Sequence, residues 1–243
     1  MERTEPAARR RLPVPSRFQL TITAVLVAAV AAVGVIAVVH KGSPGTAESA
    51  TQARDDFMNL ASAGGAAAPD ISMTDQTGQT VSLAALEQQG KAIVLEFMDP
   101  HCTDICPIVS QEFKVAYRQL GPAASKVAFV AVNVNPFHTG VSDVASFTRE
   151  QGLDELPAWH FLTASVPQLQ QTWKEYAIAV QAPNPNADVV HSDNLFFIDS
   201  TGHERYIALP TDDHTASGAA YLPAPQVREW GVDIASVARE MVS

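Results

Sequence analysis

Cys102 and Cys106 are the only cysteines in a chain of 243 residues, and three residues separate them in the run Cys102-Thr103-Asp104-Ile105-Cys106-Pro107. If the segment that follows is helical, positions i and i+4 share a face and both sulfurs can point at one partner. Two converging thiolates can hold a soft metal, and one imidazole would complete a set of two sulfurs and a nitrogen suited to Cu(I) or zinc. The same pair can serve as a redox couple, with one thiolate activated near a helix N-terminus and its neighbour resolving the mixed disulfide. A structural disulfide is the third reading, natural in an oxidising compartment. The spacing is wider than the Cys-x-x-Cys of thioredoxin-like reductases, which favours a metal role while leaving the other two open.

A third ligand has to come from the histidines, six of which lie beyond His40. His101 adjoins Cys102, but adjacent side chains usually point apart, so ligation together with both sulfurs is strained. His138 lies in Asn133-Val134-Asn135-Pro136-Phe137-His138, a loop after a strand that could approach the site. His160 reads as a core or half-buried residue, and His203 and His214 read as exposed. His191 stands just before an apolar strand, in Val189-Val190-His191-Ser192-Asp193. Asp104 and Glu96 lie beside the cysteines and could orient a ligand or tune a thiol, although solvated charges would look the same.

The elements that must position these residues follow from patterning. Ala92-Ile93-Val94-Leu95-Glu96-Phe97 is a buried-strand run that ends at the cysteine segment, and Val127–Val132 is a second. From Pro107 to Leu120 the apolar residues Ile108, Val109, Phe113, Ala116, Tyr117 and Leu120 repeat at helical spacing, and Gly121-Pro122 stops the helix. Helices are predicted over 141–151, 166–176 and 224–241, with a short strand at 158–162. Hairpins are predicted over 69–83 and over 195–208, the latter turning at Ser200-Thr201-Gly202-His203. Strands alternating with helices call for a mostly parallel sheet. The fold class is α/β: a thioredoxin-like fold with an added N-terminal β-hairpin, with sites expected outside the C-terminal ends of the strands.

The N-terminal segment is of another kind. Leu20 to Val39 carries no charge over twenty positions, which predicts one transmembrane helix ahead of the domain. Five arginines precede the span and only Lys41 follows it closely, which places the N-terminus in the cytoplasm and the domain outside, in a single-pass arrangement at the cell membrane. A cleaved signal peptide is the alternative, disfavoured by the length of the apolar run. The expected divisions are a basic tail over 1–19, an anchor over 20–39, a flexible tether over 40–68 and a single domain over 69–243. Beyond Lys41 there remain 10 basic against 24 acidic residues, a balance of −14. Such a domain is a poor candidate for nucleic acid, whose affinity is built on Lys and Arg contacts to phosphate. Two cysteines also exclude a disulfide scaffold.

Taken together, Asp70–Gly78, Val81-Ser82-Leu83, the strand ending in Phe97 and His101-Cys102-Thr103-Asp104-Ile105-Cys106-Pro107 resemble the SCO/SenC family. Val190-His191-Ser192, followed by an apolar strand, Asp199 and a turn at Gly202, is similar to that family's downstream histidine motif. The resemblance covers roughly residues 69–209. It implies a copper chaperone that binds one copper ion, Cu(I) or Cu(II), through Cys102, Cys106 and His191. Delivery would go to the copper-site (CuA) subunit during cytochrome c oxidase assembly, or to another copper chaperone. The alternative is an extracytoplasmic thiol-disulfide oxidoreductase that reduces the acceptor's cysteines, for which Cys102 and Cys106 would form a redox-active disulfide and His191 would be dispensable. A sensor or scaffold stabilised by copper is a third possibility. The chain departs from the family at Thr103, often Pro there, and in Asn133–His138, where relatives commonly carry an acidic Asp-Pro stretch. The tail from Thr211 is also distinctive.

Overall fold

Ala92–Met98 (β4) is buried along its whole length, and its alternate residues serve two different cores. Ala92, Val94 and Met98 face one layer; Ile93, Leu95 and Phe97 face the other. This is the period-2 geometry of a strand covered on both sides. Val127–Asn133 (β5) does the same, with Val127, Phe129 and Ala131 on the first face and Ala128, Val130 and Val132 on the second. The computed structural model describes residues 45–242 of the chain.

β4 pairs in parallel with β5, and β5 in parallel with Trp159–Leu162 (β6). On the other side of β4, Leu195–Ile198 (β9) runs antiparallel, followed by Glu204–Ala208 (β10) and the short Ala61–Ser62 (β1). The six-stranded order is therefore β1-β10-β9-β4-β5-β6. Two-stranded pairs are formed by Ser72–Thr74 (β2) with Thr80–Ser82 (β3), by Val180–Gln181 (β7) with Val190–His191 (β8), and by Asp213–His214 (β11) with Ala220–Tyr221 (β12).

Helices cover both faces, and each buries the stripe that its apolar spacing predicts. On the first face lie Ile105–Leu120 (α3), Val141–Glu150 (α4) and Ala224–Met241 (α6), which bury Phe113, Phe147, Trp230 and Ile234. On the second face Leu83–Gln88 (α2) buries Leu83 and Leu86, and Val166–Glu175 (α5) buries Leu169 and Trp173. Burying one large apolar side chain contributes about 1.5–3 kcal/mol, so the two aromatic-rich layers dominate stability. The α2 start is fixed locally, by Ser82 Oγ accepting from the Ala85 N–H at 3.1 Å.

The chain divides into two compact units, residues 1–51 and 52–243. Residues 45–51 begin the helix Gly45–Phe57 (α1), whose remainder belongs to the second unit. Of the stretch 40–68 expected as a flexible tether, residues 40–44 lie outside the described residues and those from 52 onward belong to the second unit. Met58 is fully buried, Arg54 reaches Ser236 Oγ at 3.3 Å and Glu240 on α6, and β1 extends the main sheet. The expected fold also includes a membrane-spanning helix ahead of the domain, and that part is corrected. Among the described residues no helix is long and apolar enough to cross a membrane, and the segment 20–39 lies outside them. The predicted strands and helices of the domain lie within about two residues of their expected ends. The main shift is α3, which begins at Ile105, before Pro107, because proline is tolerated in a first turn whose N–H groups need no intrahelical partner.

Candidate metal and thiol site

The loop after β4 carries Cys102 at the C-terminal edge of the parallel strands and leads into the first turn of α3, which carries Cys106. Asp99, itself buried, folds this loop: its Oδ1 accepts from the His101 N–H at 2.8 Å and its carbonyl from the Cys102 N–H at 3.1 Å. Cys102 stops short of α3, so the two sulfurs do not sit on one helical face as the i, i+4 spacing predicts. Instead the Cys102 sulfur occupies the mouth of the helix. It accepts from the N–H groups of Asp104 and Cys106, each at 3.4 Å, and serves as the cap that the Asp104 side chain does not provide.

Both cysteines are free thiols, Cys102 half-buried and Cys106 only 2 % exposed. Their environments split their acidities. The hydrogen bond from Cys106 lowers the Cys102 pKa, helped by the two backbone N–H groups and opposed by burial. Giving that hydrogen bond and being buried both push Cys106 well above the ordinary thiol range. Cys102 is thus the more acidic thiol and Cys106 the hydrogen-bond donor beside it, the arrangement of a nucleophile and its resolving partner.

Cys102 opens onto a cleft of about 530 Å³ lined by Asp99, Asp104, Val189, His191, Asp193 and Gly218–Ala220, among others. His191, on β8, presents a largely covered side chain, its Nδ1 3.1 Å from the Ser192 carbonyl oxygen and 3.4 Å from Asp193 Oδ1. A hydrogen bond at one ring nitrogen fixes an imidazole so that the other is available to a ligand. The structure therefore brings His191 to the same cleft as Cys102, but the donor atoms of Cys102, Cys106 and His191 are not all within 4.8 Å of one another. Among the described residues, the sets of three donors lying within 4.8 Å of one another are His101, His138 and Asp143, and Asp104, Asp212 and His214.

The other histidines fall in several places. His101 lines the cleft beside Cys102 and stacks on His138, with ring centroids 3.8 Å apart. His160 is half-buried, with Nδ1 3.1 Å from Asp75 Oδ2 on the opposite side of the fold from the cysteine loop's cleft lining. His203 lies in the β9–β10 turn beside Thr201. His214 does not simply face solvent: its Nε2 lies 3.5 Å from Asp104 Oδ1, inside the cysteine loop. The β11–β12 hairpin that carries it supplies Gly218, Ala219 and Ala220 to the cleft. Spacing along the chain gave no signal for this approach, since more than 100 residues separate the two segments. Glu96 is 2 % exposed on the cysteine-bearing face of β4, and burial drives its pKa well above the usual carboxylate range, so it is a buried acid and not a solvated charge.

The family model described as SCO1/SenC matches residues 61–220, about two thirds of the chain. A comparison with curated proteins returns no match. Among solved structures, copper-bound ScoI of Bradyrhizobium japonicum is 18 % identical over 72 % of this chain and 99 % of its own, with a TM-score of 0.54. A SCO1/SenC family lipoprotein of Bacillus anthracis is 20 % identical over 73 % and 95 %, with a TM-score of 0.57. BsSco, described as having a disulfide switch and as a member of the Sco family of cytochrome c oxidase assembly proteins, is 18 % identical over 59 % and 83 %, with a TM-score of 0.50. These likenesses show the thioredoxin-like fold expected of the domain. With the family pattern matched over most of the folded unit, this chain belongs to the SCO1/SenC family.

Proposed function

We propose that the protein is a copper chaperone that binds one copper ion through Cys102, Cys106 and His191 and passes it to the copper-site subunit of a cytochrome c oxidase during assembly. The observation that carries the reading is the free thiol of Cys102 opening, with His191, onto one cleft, with the free thiol of Cys106 buried behind it. Two sulfurs and an imidazole are a soft donor set that suits copper, and Cu(I) is satisfied by the thiolates alone. The Cys102 sulfur is already disposed to bind as thiolate, while Cys106 gives up a proton on binding, so copper uptake releases protons. Copper-bound ScoI and the oxidase-assembly description of BsSco support the same reading. Val190, 63 % exposed beside His191, offers an apolar contact to an acceptor protein at the rim. The proposal places the 52–243 unit on the extracytoplasmic side.

The inequality of the two thiols favours thiol-disulfide exchange as a second reading. The Cys102 thiolate attacks one sulfur of an acceptor disulfide, forming a mixed disulfide and releasing the acceptor's first thiolate. Cys106, once deprotonated, attacks the Cys102 sulfur, releasing the second acceptor thiolate and leaving a Cys102–Cys106 disulfide. The acceptor gains two electrons and this chain loses two.

Anaerobic chelator competition for Cu(I) on the reduced full-length chain separates the readings. One-to-one binding that is lost in Cys102→Ala and in Cys106→Ala, and weakened or altered in His191→Ala, is the expected result. Weak binding indifferent to the cysteines overturns the chaperone reading. Reduction of a model disulfide by the chain should depend on Cys102 and be indifferent to His191→Ala.

A further inference from the structure

The geometry points to a second metal site, formed by His101, His138 and Asp143, that takes one divalent d-block cation such as Cu(II) or Zn(II) independently of the cysteines. One donor atom from each of the three residues lies within 4.8 Å of the other two, and the His101 Nε2 to Asp143 Oδ1 distance is 3.6 Å. Two imidazoles and one carboxylate are a borderline-to-hard donor set, suited to divalent copper, zinc or nickel and unsuited to the soft Cu(I) that thiolates prefer. The site therefore selects a different ion from the cysteine pair one residue away.

The three residues come from separate elements, yet a single polar network holds the backbones of the two histidines. Asp99 Oδ1 accepts from the His101 N–H at 2.8 Å and from Asn135 Nδ2 at 2.9 Å. Asn135 Oδ1 in turn accepts from the His138 N–H at 3.2 Å, and Asn133 Nδ2 donates to the His138 carbonyl at 2.8 Å. Asp99, Asn133 and Asn135 are all buried, so the network is shielded from water. Asp143 stands in the first turn of α4, where its Oδ2 accepts from the Gly140 N–H at 2.9 Å and its Oδ1 is left facing His101. Backbones fixed in this way, with side chains that still reach solvent, leave only side-chain rotation between this arrangement and ligation. The stacked imidazoles, 3.8 Å apart and tilted 30°, have to turn out of their stack so that two nitrogens and one oxygen close to the separation of about 3 Å that metal–nitrogen bonds of 2.0–2.1 Å impose. The histidine that completes the set lies in the Asn133–His138 loop, one of the places where this chain departs from the family pattern.

The test uses the full-length chain carrying Cys102→Ser, Cys106→Ser and His191→Ala, titrated with Cu(II) and separately with Zn(II). The expected result is one equivalent of either ion, with two-nitrogen superhyperfine structure in the Cu(II) EPR spectrum. Adding His138→Ala should reduce that pattern to one nitrogen and weaken binding at least tenfold. Adding Asp143→Asn, which keeps a polar residue in the first turn of α4, should weaken binding without removing a nitrogen. Far-UV circular dichroism confirms that each variant is folded. No saturable binding, or Cu(II) binding unchanged by His138→Ala and Asp143→Asn but lost in His214→Ala, overturns the proposal. Because the background lacks all three residues of the chaperone site, a failure here leaves the Cu(I) reading untouched, and the converse holds as well.

Discussion

Cys102 and Cys106 are four residues apart in sequence and chemically unequal in the fold. Cys102 takes two backbone N–H groups and the Cys106 thiol as donors, while Cys106 lies behind it without water. Alkylation by iodoacetamide should therefore strike Cys102 first, and at a lower pH than an unperturbed thiol requires. In Cys106→Ala the main cause of the lowered Cys102 pKa is gone. The alkylation midpoint of Cys102 should then move to higher pH, as read from the rate against pH; an unchanged midpoint would mean that the backbone donors alone set it. The identity and spacing of the two cysteines were legible in the chain, because residue type and motif spacing are local properties, whereas His191 was marked only by its resemblance to the family's downstream histidine motif. Their inequality was not, since it comes from where α3 begins and from what β4 packs beneath it.

Among the elements, α3 and α6 pack tightly at Gly231. A Cβ placed on Gly231 would lie 2.4 Å from Val115 Cβ and 2.8 Å from the Glu112 carbonyl oxygen. These are backbone and near-backbone atoms that cannot step aside, so glycine is what lets α6 seat against α3. Gly231→Ala gains about 1 kcal/mol of helix propensity, yet overpacking of this kind costs about 1–3 kcal/mol and more where backbone must shift. The expected outcome is net destabilisation of about 1–2 kcal/mol, visible as a lower urea midpoint with unchanged slope. Sequence periodicity found α6 and both partner strands of the β9–β10 hairpin, because an amphipathic stripe and a Gly-containing turn are written within one segment. It could not find β1, two residues paired with a strand far along the chain, nor the β11–β12 hairpin beside the cysteine loop.

At the scale of the molecule, buried acids set how stability responds to pH. Glu112 on α3 is buried with neither carboxylate oxygen hydrogen-bonded, and burial raises its pKa from 4.5 to about 8. The unfolded chain gives up this proton near pH 4.5, whereas the folded chain keeps it until about pH 8. The stabilisation linked to Glu112 is therefore complete below pH 4.5 and declines as pH rises through about 8. Glu96 acts in the same direction. Glu112→Gln should flatten the fall in urea-determined stability between those limits, by on the order of 3 kcal/mol at the alkaline end. A wild-type chain whose stability rises over this window would contradict the assignment.

The sequence by itself determined the donor types, the alternation of strands and helices, and the two-sided burial of β4 and β5, because each depends on residues close together in the chain. It placed Glu96 beside the cysteines but not in a dry layer, and it left His214 among exposed residues. Only the tertiary structure decided that Cys102 caps α3, that His101 turns toward His138 and Asp143, and that His214 meets Asp104. Those outcomes depend on which loops the sheet order brings to one edge, and on water being excluded beneath them. Neither property belongs to any single segment.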